Sequence, residues 1–469
     1  MWTASFRKFV HSFDLRSTGK WFLLFSLVGT VAGVGAVVFQ VILQVVARYT
    51  QTALAGFTPE EAAGEHSLFH HASAQFSLPL IVVVMGFGGL ISGWLVYTFA
   101  PEAEGHGTDA AIEAFHNKRG LIRTRVPFIK TLASAITIGT GGSAGREGPI
   151  AQIGAGFGSF LGTHLHLSDR DRRIMLAAGM AGGIGAVFRA PLAGALFAGE
   201  ILYKEGDIES DVIVPAAISS IVSFSVYSLF LPADAAFLPL FGDGLHYKLN
   251  SLFELLPLAL MAVVLTLAAI LYIKVFYGVH ALAQKITSIP RPLKPAIGAV
   301  LAGLIGVGLH LAFGENHDGA LLAVLSTGYG SLQAALEDPA KLGIGVLLLI
   351  AGGKILTTSL TISTGGSGGV FGPSMVIGGC LGAAVGLVLR DVFGVETQPG
   401  AYAIIGMAGF FAGAAHAPIS TIIMVSEMTG DYKLLLPTMW VCTLCFLLCR
   451  RWTLYVKQVP SRLDSPAHK

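Results

Sequence analysis

Apolar residues fall in long blocks along most of the chain. They cover Trp21–Ala47, Leu80–Ala100, Val126–Leu165, Ile174–Tyr203, Val212–Leu231 and Ser251–Tyr277, then Ala296–Phe313, Leu342–Ile362, Val370–Leu389, Ala401–Val425 and Leu434–Cys449. A helix that crosses a bilayer needs about 20 apolar residues, so several blocks each suffice for one passage. The first is too long for a signal-peptide core and has no small-residue cleavage site behind it, so it reads as a retained helix. Several later blocks are interrupted by clusters of Gly and Pro. Backbone facing lipid cannot tolerate such breaks. They survive where protein or a water-filled cavity satisfies the freed N–H and C=O groups. The pattern predicts an all-α polytopic membrane protein with partly re-entrant helices, and points to a transporter or channel.

Composition sharpens this picture. Of 469 residues, 53% are hydrophobic and 12% are charged, half the charged share of about 25% in soluble domains. A disordered chain is excluded and a soluble enzyme disfavoured. The net charge of +2 offers no field for nucleic acid. The 59 glycines follow no collagen period and suit closely packed membrane helices. Lys and Arg mark the orientation. Arg7, Lys8, Arg16 and Lys20 precede the first block, and Arg450, Arg451, Lys457, Arg462 and Lys469 follow the last. The Lys274–Lys294 stretch is also basic, whereas Gln51–Glu65 and Pro232–His246 have no Lys or Arg. Both termini are therefore expected in the cytoplasm, with the protein in the cell's inner (plasma) membrane. The stretch after Tyr455 is too short for a regulatory domain. Cys380, Cys442, Cys445 and Cys449 lie inside apolar blocks and read as packing residues, with no disulfide framework, metal or cofactor implied. His66, His70 and His71 read as a solvated or pH-sensitive patch of the outer loop rather than a metal site.

Self-similarity is the most informative feature. Lys130–Gly162 and Lys354–Gly386 match at a constant offset of 224, sharing the Lys, a GGS triplet, a GP pair and a ladder of glycines. A second match runs at offset 227: Gly179–Gly182 with Gly406–Gly409, Ala190-Pro191 with Ala417-Pro418, and Glu200 with Glu427. The chain is a fused duplication, divided as an arm 1–20, a first repeat 21–240, a second repeat 250–455 and a tail 456–469. Duplicated halves are common in secondary transporters, with the substrate at the repeat interface. The paired loops GGSAGREGP (Gly141–Pro149) and GGSGGVFGP (Gly365–Pro373) suit that place. Glycines let backbone approach an ion, Pro starts a helix, and unpaired N–H groups at a positive dipole end favour an anion. Close packing accounts for Gly154, Gly158, Gly162 and their partners Gly378, Gly382 and Gly386, but not for Gly-rich turns that end in Pro. The two loops differ at one informative place: Glu147 is matched by Phe371. A carboxylate there would compete with the anion when ionised and withdraw when protonated, which makes Glu147 a gate and proton carrier. The alternative is a structural ion pair with Arg146. Lys130 and Lys354 read as repeat-related lysines at helix starts, either structural or favouring an anion.

These residues resemble the CLC family of chloride channels and proton/chloride antiporters. GREGP at Gly145–Pro149 matches one family signature unchanged, GVFGP at Gly369–Pro373 fits another, and Tyr455 follows the last apolar block where the family has a pore tyrosine. The resemblance implies an inverted-repeat bundle of tilted helices, one pore per subunit in a homodimer, and chloride or a similar small anion as the transported species, with protons as a second one. It makes Glu147 the external gate, gives chloride the N–H groups of Val370 and Phe371 and the hydroxyl of Tyr455, and places His106, Gly107, Arg146, Gly148 and Gly369 in the same anion site. Two departures stand out. The signature GSGIP is GHGTD here (Gly105–Asp109), so His106 replaces a serine and bears on whether chloride, fluoride or nitrate is preferred. Asp109 there is explained by a helix N-cap. The antiporters' inner proton-accepting Glu falls on Ile201, beside Glu200. Either Glu200 or water takes over that step, or the protein behaves as a channel; alternatively Glu200, like Glu427, has a helix-end role. An intramembrane enzyme is disfavoured, because no HExxH, GxSxG or paired-Asp motif occurs. A cation or organic-solute transporter should carry carboxylates in both loops.

Overall fold

A computed structural model describes residues 15–67, 69, 76–233, 235–248, 251–313 and 319–469. Arg7, Lys8, His70 and His71 lie outside the described residues. The described chain is almost wholly helical. The first half runs α1 (Leu15–Ala47), α2 (Leu78–Phe99), α3 (Thr108–Asn117), α4 (Arg125–Gly139), α5 (Glu147–His164), α6 (Asp169–Phe188), α7 (Pro191–Glu200) and α8 (Ser210–Ser228). The second runs α9 (Leu255–Lys285), α10 (Lys294–Phe313), α11 (Tyr329–Glu337), α12 (Pro339–Ser363), α13 (Phe371–Asp391), α14 (Pro399–Ala415), α15 (Pro418–Thr429) and α16 (Leu435–Cys449). Seven helical segments among the described residues are long and apolar enough to cross a membrane.

The Gly/Pro interruptions divide three apolar blocks into helix pairs: α4 and α5, α6 and α7, α14 and α15. Proline heads α7, α14 and α15, where its missing N–H leaves no intrahelical bond unmade. Chain reversal after α6 and α14 uses residues in the left-handed region, Arg189 (φ 55°) and His416 (φ 58°), again 227 apart. Each pins backbone carbonyls with its side chain. Arg189 donates to Ala235 and Leu238, both at 2.9 Å. His416 bonds the carbonyls of Lys204 and Trp452, also at 2.9 Å.

The two halves meet in a reciprocal contact. Gly145 N–H donates to the Gly369 carbonyl and Gly369 N–H to that of Gly145, both at 2.7 Å. Around them, Ser134 bonds Ser367 and Ser143 bonds Thr358, each at 2.9 Å. These pairs exchange with one another under the offset of 224, as a two-fold relation requires. The fold is an all-α inverted repeat. The chain after α16 packs back on the helices: the Tyr277 hydroxyl donates to the Leu454 carbonyl at 2.6 Å, and Gln458 Nε2 donates to those of Ile201 and Ala415. The four cysteines are buried and free.

Candidate functional site

The two Gly-rich loops begin alike. Gly141 (φ 106°) and Gly365 (φ 110°) occupy a backbone region closed to other residues. Each loop then ends in a helix, α5 or α13, whose first N–H groups have no intrahelical acceptor. The starts of α5 and α13 converge with a third, that of α3. A Cβ on Gly148 would lie 2.0 Å from the His106 carbonyl, so only glycine lets the GHGTD turn approach α5. The Gly105 N–H donates to the Gly366 carbonyl at 3.0 Å, which ties that turn to the other loop as well.

Between these starts lies a small enclosed chamber. Glu147 and Phe371, the mismatched pair of the repeat, both line it, together with Thr108, Gly148, Phe188 and Tyr455. Phe371 is wedged between Phe188 and Phe411, with ring centroids 4.4 and 4.3 Å away. The Glu147 side chain is buried and bends across to the opposite helix. One oxygen accepts the Gly372 N–H at 3.3 Å, and the other accepts the Tyr329 hydroxyl. A carboxylate thus occupies the N-terminal end of α13, where the helix dipole and free N–H groups favour negative charge. Val370 and Phe371 open the same helix end.

Arg146 does not pair with Glu147. Its guanidinium bonds Glu65 from the loop after α1 and Gln40 of α1 at 2.8 Å, and lies 5.5 Å from the centre of the Tyr329 ring. That ion pair neutralises the residue beside Glu147 and leaves the Glu147 carboxylate to Tyr329 and α13. Nearby, packing in the loop and the adjacent Glu65 carboxylate push Glu61 from 4.5 up to about 7, against the pull of Arg146.

At the other end of the chamber stands Tyr455, and His106 packs against it edge to face, with ring centroids 5.2 Å apart. His106 is buried, with Nε2 3.4 Å from Asp109. Asp109 was expected as an N-cap, but Gly107 caps α3 without a side-chain bond. Asp109 instead accepts the Lys457 N–H at 3.1 Å. Glu113 pairs with the Lys457 ammonium at 3.4 Å.

The repeat lysines are not at helix starts: Lys130 lies within α4 and Lys354 deep within α12. Both are fully buried and hold loop carbonyls. Lys130 donates to Ala103 and Gly105 at 3.0 and 2.7 Å, and Lys354 to Ala323, Leu325 and Ser326 at 2.8–3.2 Å. They thereby shape the equivalent turns before α3 and α11. The second turn delivers Tyr329, which block patterning missed. Its one sequence signal was the lysine in common.

Glu200 and Glu427 make a matched exchange. Glu200 accepts the N–H groups of Ile419 and Ser420 at 2.9 and 2.7 Å and the Ser420 hydroxyl at 2.6 Å. Glu427 accepts those of Leu192 and Ala193 at 3.3 and 2.8 Å. Each caps the short helix of the other half. Ile201 is buried and offers no titratable group.

Comparison with known proteins agrees with this geometry. The chain is 31% identical over 368 residues to the "H(+)/Cl(-) exchange transporter ClcA" of Vibrio cholerae, covering 76% of this chain and 73% of that protein. Its fold matches a slow cyanobacterial Cl-/H+ antiporter with a TM-score of 0.76 at 21% identity, over 92% of this chain and 94% of the other. It also matches a CLC-type fluoride/proton antiporter with a TM-score of 0.74 at 19% identity, over 95% and 98%. Residues 88–450 match the model of the voltage gated chloride channel family. Helix starts converging on one chamber, a duplicated loop pair and these matches lead to one conclusion: the chain is a multi-pass membrane protein of the CLC family.

Proposed function

We propose that this protein exchanges chloride for protons across the membrane, with Glu147 as both gate and proton carrier. The observation that carries this reading is the carboxylate of Glu147, seated at the N-terminal end of α13 on the Gly372 N–H and held by Tyr329. That seat suits an anion, so the carboxylate and chloride compete for it. With Glu147 seated, the path is closed. Protonation removes the charge that holds it there, the side chain leaves, and chloride takes its place against the N–H groups of Val370 and Phe371. Tyr455 and His106 border the path at the far end, while Gly107, Gly148 and Gly369 let the backbone close around it. Arg146 acts through its ion pair with Glu65 and is not a ligand. The family relatives that transport both ions favour exchange over a simple channel.

The mouth beside Glu65 then faces outward, the chain termini lie in the cytoplasm, and the protein sits in the cell's inner membrane as a homodimer with one path per subunit. Transport accounts for the duplicated loops, which an intramembrane enzyme would leave unexplained. The test is paired chloride and proton flux in liposomes. Uphill proton movement driven by a chloride gradient, lost in Glu147→Gln, is expected. Chloride efflux without proton movement in the unmodified protein would make it a channel with Glu147 as gate only. The same liposomes, loaded with nitrate or fluoride, measure how His106 sets the anion preference.

A further inference from the structure

An exchanger needs a group that passes protons between the cytoplasmic solution and Glu147, and at position 201 this chain has isoleucine. Glu200 is bound to three donors in the first turn of α15, which commits its lone pairs to capping. The described residues place another titratable pair directly behind Tyr455, the residue that lines the chamber's far end. We infer that His106 and Asp109 form the inner proton relay of this protein, an inference that rests on the exchange reading above.

Four observations carry it. His106 is 7% exposed, and its Nδ1 has no hydrogen-bond partner. A buried ring nitrogen left unpaired is costly and calls for a ligand or water. Its Nε2 lies 3.4 Å from the Asp109 carboxylate, whose side chain is 18% exposed and reaches the surface side of the turn. The ring meets Tyr455 edge to face, and Tyr455 lines the chamber with Glu147. The pair therefore lies between the tail-facing surface and Tyr455, the residue that lines the chamber.

The proton balance is simple. A proton from the cytoplasmic solution arrives at the Asp109 carboxylate and passes to Nε2, which makes the ring an imidazolium. Nδ1 then releases a proton to water between the ring and the chamber, which carries it to the Glu147 carboxylate. Exchange of tautomer returns the ring to its starting state, and one proton has moved with no net change in His106 or Asp109. Imidazole suits this because its two nitrogens can accept on one side and donate on the other. The charged and titratable groups around the pair do not short-circuit it. The Lys130 ammonium is bound to the carbonyls of Ala103 and Gly105. The Tyr277 hydroxyl is bound to Leu454, and Lys457 is paired with Glu113. Tyr455 keeps its proton and serves as the wall. The second oxygen of Asp109 holds the Lys457 N–H at 3.1 Å, which fixes the carboxylate beside the ring.

The experiment uses the full chain in liposomes, with protons moved per chloride as the readout. Asp109→Asn keeps an acceptor for the Lys457 N–H but cannot carry a proton, and His106→Gln keeps polarity without a relay. In both, protons per chloride should fall roughly tenfold or more. Chloride flux in Asp109→Asn should stay within about threefold of the unmodified protein, well short of the loss expected for a catalytic group. An unchanged ratio in either variant, while Glu147→Gln abolishes proton movement, overturns the relay and leaves exchange standing. Loss of both fluxes in folded Asp109→Asn also overturns it, because Asp109 would then serve the fold. An unmodified protein that moves no protons overturns the relay together with the exchange reading.

Discussion

In the scaffold, equivalent residues of the two halves take equivalent partners, whereas in the chamber between them they do not. Gly145 and Gly369, Ser134 and Thr358, and Glu200 and Glu427 exchange partners under the repeat. Around the chamber, Glu147 opposes Phe371, and Tyr329 stands at a turn equivalent to the one that carries Thr108. The contrast separates two kinds of buried polar residue. One that recurs in both halves serves the architecture, since duplication supplied it twice. Glu147, which has no counterpart, lines what the architecture encloses. Buried carboxylates are costly wherever they occur, so burial alone does not tell Glu200 from Glu147. Their partners do: Glu200 is held by three donors that pin a helix end, and Glu147 by a tyrosine and a helix end where an anion belongs.

The most powerful way to break the comparison is Glu147→Gln, which should lower proton flux by roughly two orders of magnitude or more when measured beside chloride in the same liposomes. Retained proton movement would return Glu147 to the scaffold. Next is Tyr329→Phe. Loss of a hydrogen bond to a charged group is worth about 1.5–3 kcal/mol, so the gate should open more easily and chloride efflux rise about tenfold, while Glu147 still titrates. An unchanged rate would make Tyr329 packing alone. Glu200→Gln should leave protons per chloride as they were and lower unfolding stability by about 1–3 kcal/mol, because an amide N–H replaces an acceptor facing donors. Glu427→Gln, with two donors and more exposure, should do the same more weakly. A changed ratio in Glu200→Gln would move it from scaffold to transport.

The smallest effect concerns Glu61, whose carboxyl is pushed up to about 7 from 4.5 by packing and by Glu65. A raised folded-state value means the associated stability is full below about pH 4.5 and is lost as pH rises through about 7. Thermal unfolding of the unmodified protein should therefore fall over that window more than that of Glu61→Gln. Parallel curves would remove Glu61 from the pH response.

Much of this was legible in the chain. Block length showed the membrane helices, Gly/Pro clusters showed where helix pairs would form, and the offset of 224 showed that Glu147 lacks a counterpart. Three things were hidden for physical reasons. The helix α11 is only 9 residues long and lies outside the apolar blocks. The partner of Arg146 lies 81 residues upstream in a polar loop, so chain proximity suggested Glu147 instead. The nine-residue spacing from proline to Glu200 and Glu427 was visible, but what each carboxylate binds depends on contacts spanning more than 200 residues. Tyr329 carries no local mark, and its one signal is the lysine common to both repeats.

The exchanged glutamate caps also bear on how the molecule is made. The N-terminal end of α7 is closed by a residue synthesised 235 positions later, and α15 emerges to find its own cap already waiting. A ribosome that has delivered only the first half leaves α7 with open N–H groups inside a lipid phase that cannot satisfy them. The first repeat should then remain loosely seated in the insertion machinery, sensitive to protease or to chaperone release, until the second repeat arrives and both helix ends close.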